Sequence, residues 1–279
     1  MSRCLTVHRH MEVAAASAAF LDEEKDRSAQ HLPESTTSSH DNSNDATTLK
    51  LFQTDSTDTL PCVHRLIKAH HQSIRTLRHI LKPPPPTLSV QFETLSPDHI
   101  ELLTGPIRDV CETLTLDHFS MVAPTKANVH MMGTDVFYVS LSHSETMMMG
   151  IFILPPHSKI PLHDHPHMSV VSRVLYGTLH IKSYSIVDPD SVDANGNAVL
   201  LARQTRDKVL DAPCTMELSP SHHNIHELVA DGDIGCAIFD VMLPPYDDDH
   251  RHGNDYRIVG VQDDELHVLE RLVKSSHDH

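Results

Sequence analysis

At 279 residues the chain is long enough for one large β-domain with extensions, or for two small domains. A formal net charge of −16 argues against nucleic acid as a partner, because a phosphate-binding surface needs clustered Lys and Arg. No run approaches the roughly eighteen apolar residues of a spanning helix, so no membrane role is expected, and 4% aromatics with no Trp suggest that part of the chain is not packed.

The five cysteines, Cys4, Cys62, Cys111, Cys214 and Cys236, are odd in number, scattered, and without a Cys-x-x-Cys pair. That usage fits a reducing compartment rather than a disulfide framework, so a cytoplasmic protein is expected, with the nucleus as a further option. Ser2 to Leu21 contains Arg3 and Arg9, no acid before Glu12, and a small apolar stretch from Val13 to Phe20. It could serve as a weak organelle-targeting segment, but it lacks a clear cleavage site.

Residues 22–59 are rich in Asp, Glu, Ser, Thr, Asn and His, with almost no large apolar side chain. Such a segment cannot bury enough surface to offset its ordering entropy, and residues 1–58 are expected to form a disordered polar arm. From 59 to 122 the pattern becomes helical. Leu60, Val63, Leu66, Ile67, Ile74, Leu77 and Leu81 recur at three- and four-residue steps, which predicts an amphipathic helix capped by Asp58 or Thr59 and ended by Pro83 to Pro86. His64, His70 and His71 are expected on its surface. Leu88 to Leu95 reads as a strand, and Ser96-Pro97 as the start of a short helix. Gly105-Pro106 predicts a break, with a second helix over Ile107 to Leu116.

From about residue 123 the reading is β. Short strands are predicted at Val136–Leu141, Met148–Leu154, Val170–Leu175, Leu179–Ile186, Ala198–Thr205, Lys208–Leu210, Thr215–Leu218, Ile225–Val229 and Gly235–Leu243. Asn195-Gly196 is the strongest hairpin signal, placed for a two-residue turn. Many short strands without alternating helices imply a mainly β fold, an antiparallel jelly-roll barrel of the cupin type. The barrel domain is expected over 123–262, with 263–279 as a C-terminal tail.

Between the runs Ile151–Leu154 and Val170–Leu175 lies a polar turn carrying His163, Asp164, His165 and His167. Residues two apart share a strand face, so His163 and His165 can face inward and bite one divalent transition metal. Chance is the competing explanation in a chain with 25 histidines, and His250-Arg251-His252 is a second copy in a very polar stretch. The β-branched setting of the first copy, closed by Tyr176-Gly177, sets it apart. Two ligands hold a metal poorly, and His222, His223 and His226 are all candidates for a third.

Pro161-Leu-His-Asp-His-Pro166, Met168 and Val174-Leu-Tyr-Gly177 resemble the thiol dioxygenases of the cysteamine dioxygenase and plant cysteine oxidase family, as does Phe239-Asp-Val-Met-Leu-Pro-Pro-Tyr246. The likeness runs from about Ala123 to Tyr256. It implies a cupin holding iron(II) on His163, His165 and His226. It also implies that both atoms of O2 are added to the sulfur of an aminothiol, either cysteamine or the N-terminal cysteine of a peptide. A protein N-terminus as target would turn oxygen level into a degradation signal. Asp240 matches the family's aspartate. By alternation it shares a face with Ile238 and Met242, where it would hold a ligand histidine or the substrate amine unless the strand edge is exposed. Tyr246, aimed by Pro244-Pro245, is a site residue or a rim residue. Asp164 reads as turn-stabilising, and Arg173 as a solvated strand residue.

The general cupin pattern places a Glu shortly after the second His; here that carboxylate is absent. His167 stands where the family usually has Gly, raising a narrowed pocket or a fourth ligand, and Gly253-Asn-Asp-Tyr256 replaces its Cys-x-Tyr-Tyr. These departures leave open a non-catalytic, metal-binding cupin acting as sensor or scaffold, and more weakly a zinc or manganese cupin with other chemistry. A monomer is expected.

Overall fold

The computed structural model describes residues 60–81, 95–193, 195–247, 251–263 and 265–272. The expected arm over 1–58, nearly all of the expected strand at Leu88–Leu95, and His250 lie outside the described residues.

Helix α1 spans Pro61–Ile80 and buries Val63, Leu66 and Leu77 along one stripe. Its N-cap is Leu60, which makes no side-chain cap, so neither Asp58 nor Thr59 fills that position. Pro61 at the first position has no N–H to leave unsatisfied. His70, expected on the surface, is 1% exposed, and its Nε2 lies 3.0 Å from Thr146 Oγ1. Burial pushes its imidazole down to about 4.

Helix α2 spans Pro97–Cys111, with Ser96 Oγ accepting the His99 N–H at 3.3 Å. It runs through Gly105-Pro106 instead of breaking there. A proline inside a helix costs about 3 kcal/mol, and burial of Leu103, Ile107 and Cys111 on both sides of it offsets that.

The strands are β1 (Phe137–His143), β2 (Met148–Leu154), β3 (Lys159–Asp164), β4 (Ser169–Val192), β5 (Ala198–Asp211), β6 (Cys214–Leu218), β7 (Ile225–Ala230), β8 (Cys236–Leu243), β9 (Asp255–Val261) and β10 (Leu266–Leu272). All pairings are antiparallel. One layer runs β1, β2, β8, β4, with β6 also on β4. The other starts from the far half of β4 and closes through β5, β10, β9, β3 and β7 back onto β4. This is the mainly β, cupin-type barrel that the strand pattern predicts.

The 24-residue β4 merges two predicted strands and belongs to both layers. It changes layer at Gly177, where φ is +77° and an added Cβ would lie 1.9 Å from the Gly235 carbonyl oxygen. No other residue type fits that crossing. The Asn195-Gly196 hairpin joins β4 to β5, but its loop spans 193–197. The Asp193 carboxylate accepts the N–H groups of Asn195 and Asn197, which lengthens the turn beyond two residues.

Three strands differ from expectation. Lys159–Asp164 is a strand rather than turn, because its polar residues face the lumen and the neighbouring β9. Leu266–Leu272, taken as tail, is the strand β10 between β5 and β9, and β9 itself went unpredicted. A buried histidine, His267 at 8% exposure, disguises the inner face of β10. The barrel domain therefore continues past residue 262.

Strand β8 alternates cleanly. Ala237, Phe239, Val241 and Leu243 pack with α1 and α2, and Phe119 meets Phe239 at 5.0 Å between ring centroids. Cys236, Ile238 and Met242 face the lumen. Arg173, read as solvated, is 8% exposed on β4 and ties the helices to this sheet. Its guanidinium donates to the carbonyls of Leu114 and Glu112 and to Thr215 Oγ1. Arg173→Ala leaves these acceptors unpaired and is expected to lower unfolding stability by about 2–4 kcal/mol, read as a shift in urea midpoint.

Candidate metal centre

Strands β3 and β7 pair so that His163 stands directly opposite His226. Residues facing each other across an antiparallel pair project from the same side, so both imidazoles enter the lumen. His165 follows the end of β3, where the Met168 N–H closes a turn onto the His165 carbonyl at 3.1 Å. Asn224, two residues before His226, clamps this turn: it accepts the His165 N–H at 3.2 Å and donates to the His165 carbonyl at 2.8 Å. The ligand atoms of His163, His165 and His226 all lie within 4.8 Å of one another. Ring centroids are separated by 4.5 to 5.1 Å.

The hydrogen bonds fix which nitrogen each ring offers. His163 Nδ1 donates to the Pro161 carbonyl at 2.8 Å, leaving its Nε2 as a lone-pair donor. Tyr246 donates its O–H to the Asp164 carbonyl at 2.9 Å, so its oxygen accepts His165 Nδ1–H at 2.7 Å. His165 Nε2 is thereby free as well. Burial keeps all three imidazoles neutral by holding them below the usual histidine range, well below it for His165 and His226. Neutral, converging imidazoles, those of His165 and His226 buried, fit a divalent transition metal, which imidazole binds readily.

Asp164 is more than a turn residue. Only 5% exposed, its carboxylate accepts the Asn254 backbone N–H at 2.7 Å, the Asn254 side-chain amide, and the Tyr256 hydroxyl at 2.7 Å. It fastens the segment before β9 against the site. Gly253 belongs to that segment, and a Cβ there would come within 3.1 Å of Tyr246 Cε1. The chain's departure from the family pattern at 253–256 thus supplies the bed on which Tyr246 lies. His167 is exposed, with φ at +59°, and stands apart from the triad. Among the described residues it is not one of those whose ligand atoms converge. His222 and His223, the competing third ligands, stack on each other at 3.8 Å outside the triad.

Asp240 is buried on the lumen face of β8, 6% exposed, with Ser172 of β4 as its register partner. The rings of His163 and His165 are held by the Pro161 carbonyl and the Tyr246 hydroxyl, and among the described residues no hydrogen bond joins Asp240 to a triad histidine. Among the described residues its Oδ1 has no partner, and neither has the buried hydroxyl of Tyr138, which lies over Gly150, the register neighbour of Asp240. Burial pushes Asp240 up to about 7. Sequence pattern did not reveal Tyr138, Asn224 or Asn254; the glycine opposite Asp240 was the one available signal for Tyr138.

A mainly β barrel whose lumen gathers three neutral histidines defines a cupin with a site that could hold one metal ion. Residues 107–276 match the model of the PCO_ADO family, more than half of the chain, and the chain belongs to that family. It is 37% identical over 131 residues to a probable 2-aminoethanethiol dioxygenase of Dictyostelium discoideum, covering 46% of this chain and 59% of that protein. Plant cysteine oxidase 1 of Arabidopsis thaliana is 39% identical over 40% of this chain and 37% of its own length. The human 2-aminoethanethiol dioxygenase is 30% identical over 50% of this chain and 59% of its own. The chain thus spans less than two thirds of each of these relatives. An RmlC-like cupin from Shewanella frigidimarina is 22% identical, covers 42% of this chain and 82% of its own, and has a TM-score of 0.29. Among the described residues no helix is long and apolar enough to cross a membrane.

His226→Ala is expected to abolish stoichiometric metal binding, while His167→Gly leaves it intact; metal analysis after gel filtration reads both. Tyr246→Phe removes the acceptor for His165 Nδ1–H and is expected to weaken metal affinity about 10–100-fold. The raised Asp240 carboxyl holds its proton in the folded chain where the unfolded chain has lost it. Its contribution is therefore lost as pH rises from about 4 through about 7. Metal-free Asp240→Asn should gain on the parent across that window, by up to about 1.4 kcal/mol per pH unit, in parallel urea melts.

Proposed function

We propose that the chain is a non-haem iron(II) thiol dioxygenase that adds both atoms of O2 to the sulfur of an aminothiol, giving a sulfinic acid. The observation that carries this reading is a lumen with three neutral imidazoles on one wall and the buried carboxyl of Asp240 on the other. A shell without its own carboxylate is suited to an anionic ligand such as a thiolate. Iron, when bound by His163, His165 and His226, supplies the site where thiolate sulfur and O2 meet. The balance is simple: RSH and O2 give RSO2H, with no further reductant.

The chain's own residues then have definite tasks. Asp240, with its unpartnered Oδ1, takes the substrate ammonium, whose proton compensates the burial of the carboxylate. The Tyr138 hydroxyl is the nearest second acceptor for the same group. Tyr246 keeps His165 in one tautomer and one orientation. Met168, Val170, Leu218 and Met242 line the neighbouring wall and exclude water from the reacting sulfur.

The test is oxygen uptake by iron-loaded protein given cysteamine and a short Cys-initiating peptide in parallel, with product mass. A gain of two oxygen atoms on one substrate is expected. No uptake with either, at one iron per chain, would overturn the reading.

A further inference from the structure

Across β7, β4 and β5 the register puts His226, Ser183 and Arg206 in one row, Ser183 being the partner of both. Side chains in such a row share a face, so Ser183 and Arg206 extend the wall that carries the triad. Ser183 is completely buried, and among the described residues its Oγ has no hydrogen-bond partner. Arg206 is half-buried, and among the described residues no carboxylate or carbonyl pairs with its guanidinium. The contrast with other arginines is plain: Arg108, Arg173, Arg203 and Arg257 each hold an acid or a carbonyl.

Desolvating a guanidinium without an acceptor is unfavourable, as is burying an unpaired hydroxyl. Two such groups side by side, next to a triad histidine, form a donor pair awaiting an oxygen acceptor. A guanidinium presents parallel donors that match a carboxylate or a polarised carbonyl. Cysteamine has no such oxygen. A cysteinyl group carries one on the carbon next to its amine.

We propose that Arg206, with Ser183 beside it, binds the acyl oxygen of a cysteinyl substrate and makes the site prefer cysteinyl thiols to cysteamine. The proposal rests on the thiol dioxygenase reading given above. The oxygen can come from the carbonyl of an N-terminal cysteine in a peptide or from the carboxylate of free cysteine.

The experiment is calorimetric titration of iron-loaded protein under nitrogen with a Cys-initiating pentapeptide, L-cysteine and cysteamine. The parent chain, Arg206→Met and Arg206→Lys are compared, with metal content checked for each. The parent should bind at least one acyl thiol about tenfold or more tighter than cysteamine, and Arg206→Met should bring that ratio close to one. Arg206→Lys should restore part of it. A gain confined to L-cysteine assigns the carboxylate, and a gain with the peptide assigns the carbonyl; both keep Arg206 as the donor. No preference in the parent, or equal losses for all three thiols in Arg206→Met, overturns the proposal. Oxygen uptake by the parent is scored separately: its absence would remove the dioxygenase reading, while the binding ratio still decides the role of Arg206.

Discussion

The structure depends on the continuity of β4 through two layers. A single 24-residue strand pairs first with β8 and β6, then with β5 and β7. The walls that carry Asp240 and the triad are thereby fixed relative to each other by backbone hydrogen bonds rather than by loops. Gly177 makes that continuity possible by letting the Gly235 carbonyl approach where a side chain would stand. From this one strand follow the closed second layer, the lumen between the layers, and the facing positions of its polar groups.

Around the triad the polar groups divide into satisfied and unsatisfied sets. Asp164 takes the hydrogen bonds of Asn254 and Tyr256, while Asn224 and Tyr246 hold the backbone and ring of His165. Among the described residues, Asp240 Oδ1, Tyr138 hydroxyl and Ser183 Oγ are buried without partners. Buried networks rigidify when complete, and isolated buried polar atoms are tolerated where a ligand completes them. The division separates what holds the site from what meets a ligand.

Much of this was legible in the sequence, for identifiable reasons. The His-x-His pair sits at strand spacing, and strands such as Met148–Leu154 follow from dense apolar runs. The fold class and family signatures read directly. What escaped was set by tertiary contact. β3 looks like turn because its side chains are polar ligand and network groups, and β10 because His267 occupies an inner position. The helix through Gly105-Pro106 survives by packing on both sides. Arg173 seems solvated until the helix carbonyls above it are in place. Arg206 gives no sign in the sequence, since its lack of a partner is a property of the folded chain.

Strand β8 has a consequence for where the folding unit ends. Its alternate residues lodge in two different cores: Phe239 and Val241 under α1 and α2, Ile238 and Asp240 in the lumen. The stretch shared with the PCO_ADO family begins at residue 107, within α2. A fragment cut at that point would lose α1 and most of α2, and would strip part of the cover from the strand whose other face carries Asp240. The matched stretch therefore omits part of what covers the outer face of β8. Residues 61–106, poor in family signature, are structural members of the barrel wall.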